Sequence, residues 1–153
     1  TIDHGVSNVM VGVSQCQPTQ WQSTTSLLCT VPAGIGYDHR VSLNVSGFDN
    51  SFCVGICASS PRFSYRAPTL TSVLPSVGAS GGGDVITLYG NDFGDVSYNN
   101  TIRMALIGET ACSLTTWVNS SIVTCKTPRG ALHERSVTIE VAGQKDMLEK
   151  AFS

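Results

Sequence analysis

The sequence has few charged residues and no cluster of basic ones. Only 13% of its 153 residues are Asp, Glu, Lys or Arg, and the formal net charge is −2, whereas a typical globular protein has about 25% charged residues. Binding to a nucleic-acid backbone needs several basic side chains on one face, because much of the affinity comes from released counterions. We therefore expect no nucleic-acid partner.

Long apolar runs and helical periodicity are also missing. No apolar stretch approaches the roughly 18 residues that a membrane helix needs, and Thr1 is not preceded by a leader, so we expect no membrane insertion and either a processed chain or a fragment. No window keeps a three-four spacing of apolar residues, and Gly, Pro, Asn and Ser recur at short intervals. Helices are therefore not expected.

The sequence does contain a repeat, at a constant offset of 96 residues. In each copy a Trp follows the first cysteine by five residues, the second cysteine comes after a gap of twelve residues, and a Pro stands three residues further on. These positions are Cys16, Trp21, Cys29 and Pro32 in the first copy and Cys112, Trp117, Cys125 and Pro128 in the second. A match without gaps over this length indicates two modules in tandem, which is typical of a domain array and not of an enzyme with one cleft.

Alternating apolar and polar residues predict β-strands. Residues 41–45 and 137–141 alternate in this way, and residues 85–89 form a shorter run. Strands of this kind, separated by turn residues at short intervals, predict an all-β fold built as a two-sheet antiparallel sandwich.

The start of the second copy resembles a known family. Residues 68–94 contain, in order, Pro-x-Leu, a Pro, a Gly, a Gly-Gly pair, an alternating strand and Gly-Asn-Asp-Phe. This order resembles the opening of an IPT/TIG domain, the immunoglobulin-like fold of plexins and certain transcription factors, although Asp92 stands where the family usually has Asn. The family's closing pattern is similar to Cys112, Cys125, Pro128 and Phe152, and to Cys16, Cys29, Pro32, Phe63 and Tyr65. The resemblance implies tandem immunoglobulin-like sandwiches over nearly the whole chain.

The aligned copies predict two domains, at residues 1–67 and 68–153. Thr1 aligns with Ser97, so the first domain has no counterpart of residues 68–96 and is expected to lack its opening strands. Two explanations stay open: the chain is a window cut from a longer array, or a neighbouring molecule donates the missing strands. Pro68 restricts itself and Ala67 to extended geometry, which predicts a stiff linker.

The six cysteines are expected to form disulfides in an oxidising compartment. The predicted pairs are Cys16 with Cys29, Cys112 with Cys125, and Cys53 with Cys57. Zinc binding is the alternative, but gaps of twelve residues without matching histidines do not supply four converging ligands.

Three N-x-Ser/Thr sequons are candidate sites for N-linked glycans. Asn44 alternates onto the outward side of a predicted strand, and Asn99 and Asn119 lie in turn-rich stretches. Glycans on these residues would also account for the solubility of a surface with so few charges.

The remaining candidate sites have weaker signals. Residues 78–83 lack the Lys-Ser/Thr of a phosphate loop and precede a strand, which indicates a turn. The isolated histidines predict exposed loops, the acidic residues lack calcium-loop spacing, and the two tryptophans are either binding anchors or packed on the disulfides. These residues are His4, His39 and His133; Asp92, Asp95 and Glu109; and Trp21 and Trp117. We expect no catalytic residues, metal or cofactor.

These observations predict an extracellular, cell-surface structural or adhesive module, one unit of a glycosylated tandem-repeat protein that forms a filament or array. Its expected partners are further modules of the same protein. A ligand-binding or stalk segment of a plexin-like receptor is the alternative. The transcription-factor branch of the family is disfavoured by the paired cysteines and the lack of basic residues.

Overall fold

The chain is an all-β protein, as predicted. The computed structural model describes residues 7–23, 25–45, 48–49, 61–95, 103–130 and 133–153, and these residues form strands without any helix. The strands are β1 (Ser7–Val11), β2 (Ser14–Gln15), β3 (Thr19–Ser23), β4 (Ser26–Cys29), β5 (His39–Val45), β6 (Phe48–Asp49), β7 (Arg62–Phe63), β8 (Thr69–Leu74), β9 (Val85–Asn91), β10 (Arg103–Ile107), β11 (Thr110–Ala111), β12 (Leu114–Asn119), β13 (Ile122–Lys126), β14 (Arg135–Val141) and β15 (Gln144–Phe152).

The chain divides into two compact units. The first unit comprises Thr1–Ala33 and Asp38–Ser64, and the second comprises Gly34–Tyr37 and Tyr65–Ser153. The second unit therefore includes four residues from the first sequence repeat, and one of them, Ile35, is buried in its core.

The second unit is a sandwich of two antiparallel four-stranded sheets. One sheet has the strand order β11-β10-β14-β15, and the other has the order β12-β13-β9-β8. Alternate residues of both sheets point into one core, as expected for strands with a single buried face. This core includes Ile86, Leu88 and Val123 from one sheet and Ala105, Val137 and Ile139 from the other.

The first unit repeats part of this arrangement. Its larger sheet has the order β2-β1-β5-β6, with β7 also paired to β5, and its second sheet contains β3 and β4. The strand register is shared between the units: Val11 pairs with Val41 as Ile107 does with Val137, and Thr19 pairs with Cys29 as Thr115 does with Cys125. Among the described residues, the β3–β4 sheet has no counterpart of β8 and β9. That strands from elsewhere complete this sheet stays a prediction.

Gly90 in β9 is a position where the packing of the second unit admits no side chain. A Cβ atom on Gly90 would lie 1.9 Å from the carbonyl oxygen of Thr69 and 2.5 Å from Cζ of Phe93. Because the first of these contacts is with backbone, Gly90→Ala would have to move β8 away from β9. We expect it to lower the free energy of unfolding of the second unit by about 2 kcal/mol, measured by urea denaturation.

Gly81→Ala is the matched control for this substitution. No atom lies within 4 Å of a Cβ built on Gly81, so its stability should stay within about 0.5 kcal/mol of the parent chain. Equal stability of the two variants would contradict the close approach of β8 and β9 at Gly90.

Candidate functional sites

Two disulfides occupy matching positions in the two units. Cys16 is bonded to Cys29 and Cys112 to Cys125, with Cα atoms 5.6 Å apart in both pairs. In each unit the first cysteine follows the short strand of one sheet, and the second lies in a strand of the other sheet. Each bond therefore joins the two sheets of its unit. The predicted Cys53 and Cys57 pair lies outside the described residues.

The sequons lie in different local environments. Asn119 is exposed at the end of β12, and its Oδ1 accepts a hydrogen bond of 2.8 Å from the backbone N–H of Ser121. Asn44 is half-buried within β5, directly opposite Asn8 of β1. Asn99 lies outside the described residues. Asn119 is therefore more exposed than Asn44.

Arg103 is a buried charged residue that the sequence analysis did not single out. Only 3% of its surface is exposed. Its Nε donates a hydrogen bond of 2.8 Å to the carbonyl of Phe93, and its Nη2 donates one of 2.6 Å to the carbonyl of Asp95. These contacts hold the turn after β9 against β10.

The two tryptophans differ although they occupy equivalent positions. Trp117 is half-buried against the core of the second unit, with Cζ of Arg103 at 5.1 Å from the centre of its ring. This separation is within the range of a cation–π interaction. Trp21 is 38% exposed. At the offset of 96 residues, Ser7 stands in the first unit where Arg103 stands in the second, and serine carries no charge.

A cavity of about 190 Å³ lies at one end of the second unit. It is framed by the segments that connect β8 to β9 and β13 to β14, by the β10–β11 hairpin and by the end of β15. The lining includes Arg129, His133 and Arg135, together with Phe152 and Ser153. The predicted loop histidine His133 thus faces a cavity, whereas His39 begins β5 and His4 lies outside the described residues.

Residues 78–80, the first half of the glycine-rich segment 78–83, form one wall of this cavity. Gly82 and Gly83 have φ values of +70° and +95°, which glycine adopts without strain. The N–H of Gly82 donates to the carbonyl of Ala79 at 2.9 Å, and the N–H of Gly83 donates to that of Thr127 at 2.9 Å. The segment is a turn that leads into β9.

The described residues contain no group of three or more His, Cys, Asp or Glu side chains placed to hold a metal ion. Asp92, Asp95 and Glu109 therefore do not form such a group there. In the same part of the chain, no helix is long and apolar enough to cross a membrane.

Two solved structures show how far the likeness to known proteins extends. The full extracellular region of plexin A4, domains 1 to 8, is 17% identical with a TM-score of 0.52, covering 99% of this chain and 15% of the plexin chain. SGBP-B from a complex xyloglucan utilization locus in Bacteroides uniformis is 13% identical with a TM-score of 0.47, covering 97% of this chain and 42% of that chain. This chain thus spans less than half the length of either protein, and the likeness to plexin A4 is one of fold.

The family comparison agrees with the repeated strands and disulfides. The IPT/TIG domain model matches residues 1–65 and again residues 68–152. The two matches together cover nearly the whole chain and fall on the two copies of the sequence repeat. The chain therefore belongs to the IPT/TIG domain family and carries two of its domains in tandem.

Proposed function

We propose that this chain is a structural module of an extracellular, glycosylated tandem-repeat protein that forms a filament or adhesive array at a cell surface. The observation that carries the proposal is the pair of tandem domains with disulfides at matched positions, Cys16–Cys29 and Cys112–Cys125. Disulfides persist in oxidising compartments and are rare in the cytosol. A chain in which each domain contains such a bond is therefore suited to the cell exterior.

The repetition of one module supports a mechanical role and not catalysis. Stability in such arrays is distributed over many small units, and each junction can repeat nearly the same rotation and rise. The connection at Pro68 favours a repeated junction geometry, because the proline ring fixes φ and Pro68 is fully buried in the second unit. Successive modules joined in this way would form a regular rod. We infer that further modules of the same protein are the principal partners and that the chain has no enzymatic activity.

Electron microscopy of the native protein, purified without denaturation, tests this function. We expect a fibre or rod with a regular axial repeat, in which each module contacts its neighbours along the chain. A discrete monomer that binds a soluble partner tightly would contradict the array and favour a stalk or ligand-binding segment of a receptor.

We expect N-linked glycans on Asn44, Asn99 and Asn119, with the lowest occupancy at Asn44. Asn44 is half-buried in the middle of a strand, which leaves the transferase less room than at the exposed Asn119. Glycopeptide mass spectrometry of the native protein measures the occupancy of each site. Asn119→Gln should remove the glycan at that site alone. Bare asparagine at all three positions would contradict the prediction.

A further inference from the structure

The residues that line the cavity of the second unit include three with basic side chains. They are Arg129, Arg135 and His133, and no Asp or Glu is among the lining residues. Within the part of the chain that the structure describes, none of these three side chains makes a hydrogen bond or an ion pair. Two of the nine Lys and Arg residues of the chain thus lie at one cavity without an ion-pair partner among the described residues.

Two of the three carboxylates near the cavity are bound to other groups. Oε2 of Glu134 lies 3.0 Å from Nζ of Lys150, and Oδ2 of Asp84 accepts a hydrogen bond of 2.7 Å from the N–H of Ala79. Glu109 is exposed on the β10–β11 turn, next to Thr110 of the lining. Neither of the two bound carboxylates forms an ion pair with Arg129 or Arg135 within the described residues. Both arginines are therefore available to an anion from outside the chain.

The walls of the cavity are held by backbone hydrogen bonds between segments that are distant in sequence. The N–H of Gly78 donates to the carbonyl of Ser153 at 3.0 Å, and the N–H of Gly130 donates to the carbonyl of Ser80 at 3.0 Å. A Cβ atom on Gly78 would lie 2.7 Å from Cζ of Phe152, so the glycine allows this wall to approach the ring. A site formed in advance loses little conformational entropy when a ligand binds.

The remaining lining residues combine hydroxyl groups with apolar surface. Ser80, Thr110 and Ser153 supply the hydroxyls, and Ile107, Pro128 and Phe152 supply the apolar part. Arginine pairs with planar carboxylates and with sulfates through two parallel hydrogen bonds. A sugar ring presents hydroxyls and apolar C–H groups side by side. The volume of 190 Å³ is below the roughly 300 Å³ at which pockets for whole drug-sized ligands begin, so it suits one sugar residue.

We propose that this cavity binds an acidic saccharide, with Arg129 and Arg135 contacting its carboxylate or sulfate. The hydroxyls of Ser80 and Thr110 contact the sugar hydroxyls, and the ring packs towards Phe152. This binding site would be additional to the structural role proposed above.

Titrations of the 153-residue chain, followed by nuclear magnetic resonance, test the site. The probes are glucuronate and glucose 6-sulfate as acidic sugars, glucose as the neutral sugar, acetate and inorganic sulfate as anions without a ring, and tetraglutamate as an acidic peptide. We expect saturable binding of at least one acidic sugar. Its Kd should be at least about tenfold below that of glucose and that of the matching anion, which is acetate for glucuronate and inorganic sulfate for glucose 6-sulfate. The shifted amide signals should belong to cavity residues.

Two single variants and one control connect binding to the proposed residues. Arg129→Gln and Arg135→Gln should each weaken binding of that sugar by at least about tenfold, because each removes one charge-assisted contact. Arg129 lies in an exposed loop, so its variant tests the site even where replacement of the half-buried Arg135 perturbs folding. Lys145→Gln makes the same charge change on β15, outside the cavity lining, and should leave the Kd unchanged.

Several results would overturn the proposal. It would be contradicted if neither acidic sugar bound saturably, or if glucose bound as tightly as the acidic sugars. Unchanged affinity of the Arg129→Gln variant would also contradict it. Acetate or sulfate binding as tightly as the matching acidic sugar would indicate a simple anion site, and tighter binding of tetraglutamate would indicate an acidic protein segment.

Discussion

Phe93→Ala should lower the free energy of unfolding of the second unit by about 3 to 5 kcal/mol. The Phe93 side chain is 0% exposed and lies in the core that both sheets share. Its truncation would lose the burial of the ring and leave a cavity that the surrounding strands cannot fill. Its backbone is also fixed, because its N–H donates to Ser120 at 2.9 Å and its carbonyl accepts from Arg103 at 2.8 Å.

Urea denaturation of the full chain, followed through the amide signals of β14, measures this loss in the second unit. Leu114→Ala is the control, because Leu114 is a large apolar residue of the same unit that is 60% exposed. We expect the control to stay within about 0.5 kcal/mol of the parent chain. A Phe93→Ala variant as stable as the control would show that Phe93 does not anchor the core.

Removal of the Cys112–Cys125 disulfide should cost about 3 kcal/mol in the second unit. The bond closes a loop between residues 13 apart in sequence and joins the two sheets. Without it the unfolded chain gains conformational freedom, which favours unfolding in the chain-entropy model. The test is the double variant Cys112→Ala/Cys125→Ala, measured by urea denaturation with the same β14 signals.

A reducing agent provides the internal control for this variant. It should lower the stability of the second unit in the parent chain towards that of the double variant, and it should leave the second unit of the double variant almost unchanged. Equal stability of the oxidised parent and the variant would mean that the bond contributes nothing to the second unit.

The parts of the fold that could be predicted from sequence are those that depend on local pattern. Alternation in residues 41–45 and 137–141 predicted strands, and β5 and β14 include these residues. The shared cysteine spacing, together with the glycine and aromatic positions, pointed to the family. The constant spacing of the repeat agrees with the strand register, which is the same in both units. The interpretation of residues 78–83 as a turn before a strand likewise depended on local chemistry.

Arg103 and the basic cavity could not be predicted in the same way, because both depend on contacts between distant residues. Arg103 shares the inward side of β10 with Ala105 and Ile107, but its partners lie in the turn after β9. The sequence signal that could have identified Arg103 was a charged residue at an inward position of a strand. Comparison of the two copies did not reveal it, because Ser7 stands at the equivalent position. Arg129 and Arg135 lie only six residues apart in sequence, but the cavity that they line also includes residues of the β8–β9 connection, the β10–β11 hairpin and the end of β15.

Two measurements on the native protein test most directly whether this is an extracellular, disulfide-linked and glycosylated module. The first is thiol alkylation without reduction, and the second is the intact mass before and after deglycosylation. We expect no alkylated cysteine before reduction, and a mass above that of the bare chain that falls when N-linked glycans are removed. Free thiols at Cys16, Cys29, Cys112 and Cys125, together with the mass of the bare polypeptide, would contradict it.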